Sequence, residues 1–461
     1  MKILGKSIKE IRNLVDKKEI SVNEVFDYFI KRIDKYNPEL NVYLTKIENK
    51  EESNTGKLFG IPLAIKDNFC MKRIRTTASS KVLSDFIPTY ESTVTSRLKK
   101  AGALFLGKTN MDAWAHGSST ETSDYGPTKN PWDKTRSPGG SSGGSAVAVS
   151  AYLTPAAIGS ETAGSIKQPA AWSGVVGLKP TYGRVSRYGV VAMESTLDCP
   201  GPLTLTVEDA ALILEVIAGH DPYDATTSPI KGENYLDILN KSEKMTIGIS
   251  DDYFEGVDDE VKEKTLNAIK ILEKLGHKTK KIKLIPPKYA ISVYTIIQRA
   301  GVSSNLGRYD GIRYGNDRGK FGEEAKRRIM LGAYTLSAGY YDAYYKKAQK
   351  VRTLIIEDFK KAFKEVDVIV APTTPITALK LGEFEKYPFF GEVMDQLNEP
   401  GAIAGVPGIS VPVGLDKKCL PIGMQILGNY FEEGKILDIA NQFEKETDFF
   451  GIIKKGMKNY E

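Results

Sequence analysis

Two amphipathic stretches open the chain. Ser7-x-x-Glu10 and Ser21-x-x-Glu24 each set a serine before, and a glutamate three residues into, a run with apolar residues at helical spacing. That is the reciprocal capping pattern of a helix start. The first run carries Ile8, Ile11, Leu14 and Val15; the second carries Val22, Val25, Phe26, Phe29, Ile30 and Ile33. One apolar stripe per helix predicts a hairpin packed on a larger body. Lys46 to Lys57 is polar and rich in Glu, Ser, Asn and Gly, and reads as a loop. Further on, short apolar runs predict strands at Ile61–Ile65, Ala103–Leu106, Ala156–Ile158, Met245–Ile249 and Val366–Ala371. Helical periodicity lies between them, at Ser92–Ala101, Ser142–Ala151, Val207–Ala218, Val261–Leu275 and Ser337–Phe363. Strands alternating with helices predict a layered α/β fold. His220 to Lys244 is rich in Pro, Gly, Asp and Ser and reads as an internal joint, and the lysine-rich Lys278–Lys283 reads as a solvated edge strand.

Composition narrows the class. The 461 residues are 41% hydrophobic and 26% charged, which is ordinary for a globular chain. Sixty-four basic against 58 acidic residues leave a net charge of +6, too small an excess for this length to argue for a nucleic-acid-binding surface. Cys70, Cys199 and Cys419 are widely spaced and odd in number, so neither a disulfide framework nor a zinc spacing is present and a reducing cytoplasm is expected. Met1 to Lys6 runs into a charged helix without a signal-peptide pattern. No uncharged apolar run reaches the roughly 18 residues that a spanning helix needs.

The chemistry concentrates in Ser137–Gln168. A glycine-rich loop, a long uncharged run and a second small-residue loop follow one another, and the two loops offer Ser141 and Ser165 beside glycines. Serines presented among free backbone N–H groups suit acyl transfer. Two familiar patterns are decoys. Gly102 to Thr109 fits G-x4-G-K-[ST], but its four middle residues are apolar and strand-like, whereas a phosphate cradle needs a glycine-rich loop. Gly139 to Gly143 fits G-x-S-x-G, but Asn130 to Pro138 before it is loop where a nucleophile elbow needs a strand. An elbow also needs a downstream histidine; His220 lies in the polar joint and His277 at a helix end, both expected at the surface.

With only three histidines, a serine enzyme must find another base. Lysine serves when neutral, and its pKa must then fall from about 10.4 to near neutrality, which burial without a carboxylate partner achieves. Lys66, closing the apolar run Ile61–Ile65, fits that need, although Asp67 beside it would oppose the shift if it pointed inward.

Gly60-Ile-Pro-Leu-Ala-Ile-Lys66-Asp67, Pro138-Gly-Gly-Ser141-Ser-Gly-Gly144 and Gly164-Ser165-Ile166 together resemble the amidase signature family over nearly the whole chain. The resemblance implies an α/β amidase-signature fold, a large mixed β-sheet with helices on both faces, as one domain over 1–461. Within it lie an N-terminal helical hairpin (1–55), the catalytic core motifs (56–219), a linker-like stretch (220–244) and a substrate-side half (245–461). It also implies a Ser–cis-Ser–Lys triad, with Ser165 as nucleophile, Ser141 as bridge and Lys66 as base. The oxyanion hole would be the amides of Thr162, Ala163, Gly164 and Ser165. Asn110-Met-Asp112, Gly117 to Ser123, Leu178 to Gly189 and Arg308 to Arg313 resemble the branch formed by the A-type subunits of glutamyl-tRNA(Gln) amidotransferases. From that branch follow Tyr294, Arg328 and Asp395 as the grip on a glutamine donor, B- and C-type subunits as partners, Glu-tRNA(Gln) held mainly by the partner, and no cofactor in this chain, ATP and magnesium being used by a partner subunit. The chain departs from the pattern at Ala113, Trp114 and His116, the last a pocket-lining candidate, and at Glu161, Ala163 and Lys167, where the acyl group would be held. Those departures keep a free-standing amidase acting on another small amide or ester as the alternative. A non-enzymatic scaffold is the third option.

Overall fold

The computed structural model describes residues 3–48, 55–239, 241–447, 451 and 460. Helices α1 (Ile8–Asp16) and α2 (Val22–Leu40) begin at the two capping boxes. Ser7 Oγ accepts the Glu10 amide at 3.2 Å, and Glu10 accepts the Ser7 amide at 2.9 Å. Ser21 and Glu24 repeat the exchange. The buried stripes Ile8, Ile11, Val15 and Val25, Phe26, Phe29, Ile33 join the main hydrophobic core. The chain then turns through left-handed Asn41 into β1 (Tyr43–Lys46), a strand the apolar pattern did not announce. Lys46 thus ends a strand instead of opening a loop; residues 49–54 of that predicted loop, and Met1 and Lys2, lie outside the described residues.

The following elements are β2 (Pro62–Lys66), α3 (Thr93–Lys100), β3 (Leu104–Thr109), α4 (Gly143–Ser150), β4 (Ala156–Glu161), α5 (Lys167–Ser173), β5 (Val176–Lys179) and β6 (Cys199–Thr204). Helices α6 (Val207–Ile217) and α7 (Tyr235–Ile238) lead to β7 (Thr246–Ile249), α8 (Asp259–Lys274), β8 (Lys278–Lys281), α9 (Lys288–Leu306), α10 (Glu323–Leu336) and α11 (Lys347–Ala362). The chain closes with β9 (Val368–Pro372), α12 (Glu399–Ala404), β10 (Gly408–Leu415), β11 (Pro421–Gly428) and α13 (Glu433–Glu446).

The described strands form one mixed sheet of eleven in the order β1-β3-β2-β4-β6-β5-β10-β11-β9-β7-β8. Strands β3, β2 and β4 run parallel, as do β9, β7 and β8, with antiparallel pairs between these groups. Because β5 pairs with β10, strands from 56–219 and 245–461 share this sheet. Helices cover both faces. On β11, a side chain at Gly423 would meet Ala171 of α5, and one at Gly428 would meet Ile436 of α13. Positions five apart on a strand face opposite ways.

Three expectations are refined. The edge strand β8 is exposed along its whole length, as the lysine alternation predicts. The helix expected from Ser337 starts later: α10 ends with Ser337 extended, Gly339 takes a φ of +87°, and a π-helical turn at Asp342–Lys346 then enters α11. His277 is buried, not at the surface, because the turn through Gly276 (φ +97°) folds it onto the start of β7, where its Nδ1 accepts the Met245 amide at 3.1 Å.

Candidate active site

Lys66 ends β2 between β3 and β4, and no part of it is exposed. Its Nζ lies 2.8 Å from Ser141 Oγ, 2.8 Å from Ser142 Oγ and 3.0 Å from Ser160 O. The peptide before Ser141 is cis. Hydroxyls and one carbonyl surround the amine, and no carboxylate touches it. Burial therefore pushes the Lys66 pKa down to about 7, against the more distant pull of Asp112, Asp198 and Glu161. Asp67 does not supply the opposing carboxylate. Successive strand residues face opposite ways, and Asp67 Oδ1 pairs with Lys108 Nζ at 3.1 Å, both side chains fully buried. Its other oxygen accepts the Thr77 amide at 2.9 Å and the Thr77 hydroxyl.

The two small-residue loops are stapled together. Gln168 Oε1 accepts the Gly140 amide at 2.8 Å, Gln168 Nε2 donates to Ser118 O at 3.1 Å, and the Ser142 amide donates to Ser165 O at 3.1 Å. Between β4 and α5 the chain turns through Thr162–Ser165. Among the described residues, no hydrogen bond uses the amides of Ala163, Gly164 or Ser165 as donors. Ser165 is 5% exposed beside them. Open amides next to a serine can hold an oxygen that gains negative charge.

Glu161 and Lys167 do not sit where an acyl group would be held. Glu161 Oε2 accepts the Ile166 and Lys167 amides, both at 3.0 Å, and so caps α5. Lys167 Nζ lies 3.6 Å from Glu161 Oε1 and 3.0 Å from Gln425 Oε1. The extra methylene of Glu161 and the single ammonium of Lys167 thus satisfy each other beneath the turn, away from the cavity. Ala163 is likewise buried and off the cavity lining.

A cavity of about 530 Å³ opens nearby, lined among others by Ala113, His116, Ser118, Glu324 and Arg328. Ser165 and Ser141 do not line it. It reaches Ser118, whose hydroxyl donates to Asp395 Oδ2 at 2.5 Å, and Asp395 in turn crowds the nucleophile loop. A Cβ on Gly164 would come within 2.1 Å of Asp395 Oδ1, so only glycine fits there. Burial pushes the Asp395 carboxyl up to about 8. Arg328 sits on α10, where Gly332 lets that helix meet the α9 backbone: a side chain there would lie 1.9 Å from Arg299 O. Arg328 Nε bonds Glu324 Oε1 at 2.6 Å and Nη2 bonds Glu392 Oε1 at 2.5 Å. Tyr294 is buried in α9, off the cavity, its phenol pushed up by burial and by Glu392. His116 is buried, and burial with the Arg328 and Arg299 guanidiniums holds its ring well below the usual histidine range. Trp114 stacks on Phe321 and lies 4.9 Å from Tyr309, walling the same side.

Several partners escaped the sequence. Glu324, Glu392 and Arg299, which frame Arg328, come from separate segments and carry no motif. Ser142 and Ser160 on the Lys66 amine were equally silent, although Ser142 adjoins Ser141. Lys108 stood in plain view as the lysine of the G-x4-G-K-[ST] decoy. Among the described residues no group of His, Cys, Asp or Glu is arranged to hold a metal ion, and no helix is long and apolar enough to cross a membrane.

The sequence model described as Amidase matches residues 24–437. The A-type chain of the glutamyl-tRNA(Gln) amidotransferase from Halothermothrix orenii is 50% identical over 467 residues, covering 96% of this chain and 98% of that protein. Its counterpart from a Geobacillus species is 48% identical, covering 97% and 99%. Among solved structures, the corresponding A-type chain of Thermotoga maritima has a TM-score of 0.84 at 42% identity, covering 95% of this chain and 94% of that one. The 6-aminohexanoate cyclic dimer hydrolase has a TM-score of 0.88 at 25% identity, covering 96% of each chain.

Proposed function

The chain belongs to the amidase signature family, and from that premise we propose that it hydrolyses the side-chain amide of glutamine and hands the ammonia to a partner subunit for transamidation of Glu-tRNA(Gln). One observation carries the chemistry: a fully buried lysine whose amine meets only hydroxyls and a carbonyl, 2.8 Å from Ser141. Neutral Lys66 draws a proton through Ser141 from Ser165, and Ser165 Oγ bonds to the amide carbon. The oxyanion rests on the amides of Thr162 to Ser165. The C–N bond breaks as the proton returns through Ser141 to the leaving nitrogen, releasing ammonia. Water, deprotonated by the same relay, then cleaves the glutamyl ester to glutamate. Arg328, with His116 beside it, faces the donor's carboxylate; Asp395 faces its ammonium, and Tyr294 backs Arg328. The relatives' names supply the partners: B- and C-type subunits, with ATP and magnesium acting at the partner, which also holds most of the tRNA.

The test is ammonia release from glutamine against a panel of small amides, with and without B- and C-type subunits. Glutamine should turn over, with kcat/KM rising with pH to a plateau above about 7, and Ser165→Ala should abolish the reaction. If glutamine stays inert in both settings while another amide is cleaved, the chain is a free-standing amidase.

A further inference from the structure

Buried polar groups without partners cluster on one side of this site. Both ring nitrogens of His116, Nη1 of Arg328 and Oδ1 of Asp395 lack any protein partner. The three residues are only 1%, 2% and 4% exposed, respectively. Leaving a buried donor or acceptor unmet costs about 1–3 kcal/mol, so several in one region mark the outline of a ligand.

The chemistry of the open groups says what that ligand carries. Two of the three nitrogens of the Arg328 guanidinium are committed, Nε to Glu324 and Nη2 to Glu392. Nη1 remains, a charged donor on the cavity wall. His116 lines the same cavity. A neutral imidazole offers one N–H donor and one acceptor nitrogen, and the field of Arg328 and Arg299 favours the neutral ring. A second donor beside a guanidinium suits an anion with two oxygens. Packing alone would be met by an apolar side chain, which orphans no nitrogen. At the other end, Asp395 Oδ1 is an open acceptor against Gly164, suited to an ammonium.

We propose that His116 is a specificity-determining residue: its ring N–H and Arg328 Nη1 each bind one oxygen of the donor's α-carboxylate, so that the site selects amides bearing a carboxylate. This rests on the assignment of glutamine as donor. The probe pair is glutamine and 4-aminobutanamide, which keeps the ammonium and the amide and lacks the carboxylate. In the wild-type protein kcat/KM favours glutamine. In His116→Leu that preference falls about tenfold, through KM for glutamine and not kcat, and His116→Asn, which retains an N–H donor, recovers most of it. A purely structural role lowers both substrates alike and leaves the ratio unchanged; that result overturns the proposal, as does an unchanged KM for glutamine. A second measurement needs no change at position 116. In the Ser165→Ala protein labelled with 15N-histidine, glutamine should shift the His116 ring resonances and 4-aminobutanamide should not; no glutamine-specific shift overturns the assignment. Wild-type protein that cleaves 4-aminobutanamide and leaves glutamine intact would instead remove the glutamine assignment itself.

Discussion

Lys66 and Lys108 stand on neighbouring strands, both fully buried, and face opposite sides of the sheet. Lys108 meets the Asp67 carboxylate at 3.1 Å and the Thr76 hydroxyl at 2.9 Å. Lys66 meets only two serine hydroxyls and a carbonyl. Burial is the same for both, so burial alone does not decide what a lysine does. The partner does. A carboxylate at contact distance keeps an ammonium charged, and its absence lets desolvation win. The two sites are also linked: Asp67 follows Lys66 directly, and its bond to Lys108 places that negative charge on the far side of β2. One lysine holds the carboxylate, which leaves the other available as a base.

The largest effect expected from this contrast is on turnover. Lys66→Met removes the base while filling its volume. Proton transfer by a positioned group contributes roughly 10²- to 10⁴-fold, so single-turnover release of ammonia from glutamine should fall by about three orders of magnitude. Near-normal turnover in Lys66→Met would erase the distinction between the two lysines.

The contrast also shows what the sequence could express. Lys66 was legible because a lysine closing an apolar strand run is anomalous, and because glycine-flanked serines gave it a use. The helix starts were legible because a capping box is local, closed within four residues. Lys108 was misfiled: G-x4-G-K-[ST] drew attention to a phosphate that the strand-like residues excluded, and nothing local joined Lys108 to Asp67, 41 residues away. The frame around Arg328 was illegible for the same reason, since Glu392 lies 64 residues from it. Glu161 and Lys167 misled in the other direction. Their neighbourhood to Ser165 in sequence suggested the acyl pocket, yet the turn aims both side chains beneath it. Local patterns survive in sequence; pairings made by the sheet do not.

Stability should separate the two lysines next. Lys108→Met leaves the Asp67 carboxylate buried and unpaired, and breaking a buried pair from one side costs about 3–5 kcal/mol. Lys66→Met strands no charge. In urea unfolding, Lys108→Met should lose several kcal/mol and Lys66→Met little or nothing. Adding Asp67→Asn to Lys108→Met should restore most of the loss. Equal losses for the two single variants would show that Lys108 and Asp67 are not coupled as the geometry implies.

The smallest effect is a pH dependence of stability. Lys66 titrates at about 7 in the folded protein and near 10.4 when unfolded. Between those values the unfolded chain holds a proton that the folded protein does not, so stability rises with pH across that window. Below about 7 both states are protonated and the cost of the buried ammonium is fully felt; above about 10.4 neither is, and the cost is gone. Lys66→Met should therefore be more stable than the wild type at or below pH 7, with the gain shrinking as pH rises toward 10. Lys108→Met, whose cost comes from a stranded carboxylate, should remain the less stable protein across the same range. A gain in Lys66→Met that stays flat with pH would mean that the amine beside Ser141 keeps its proton in the folded state, and the base would have to be sought elsewhere.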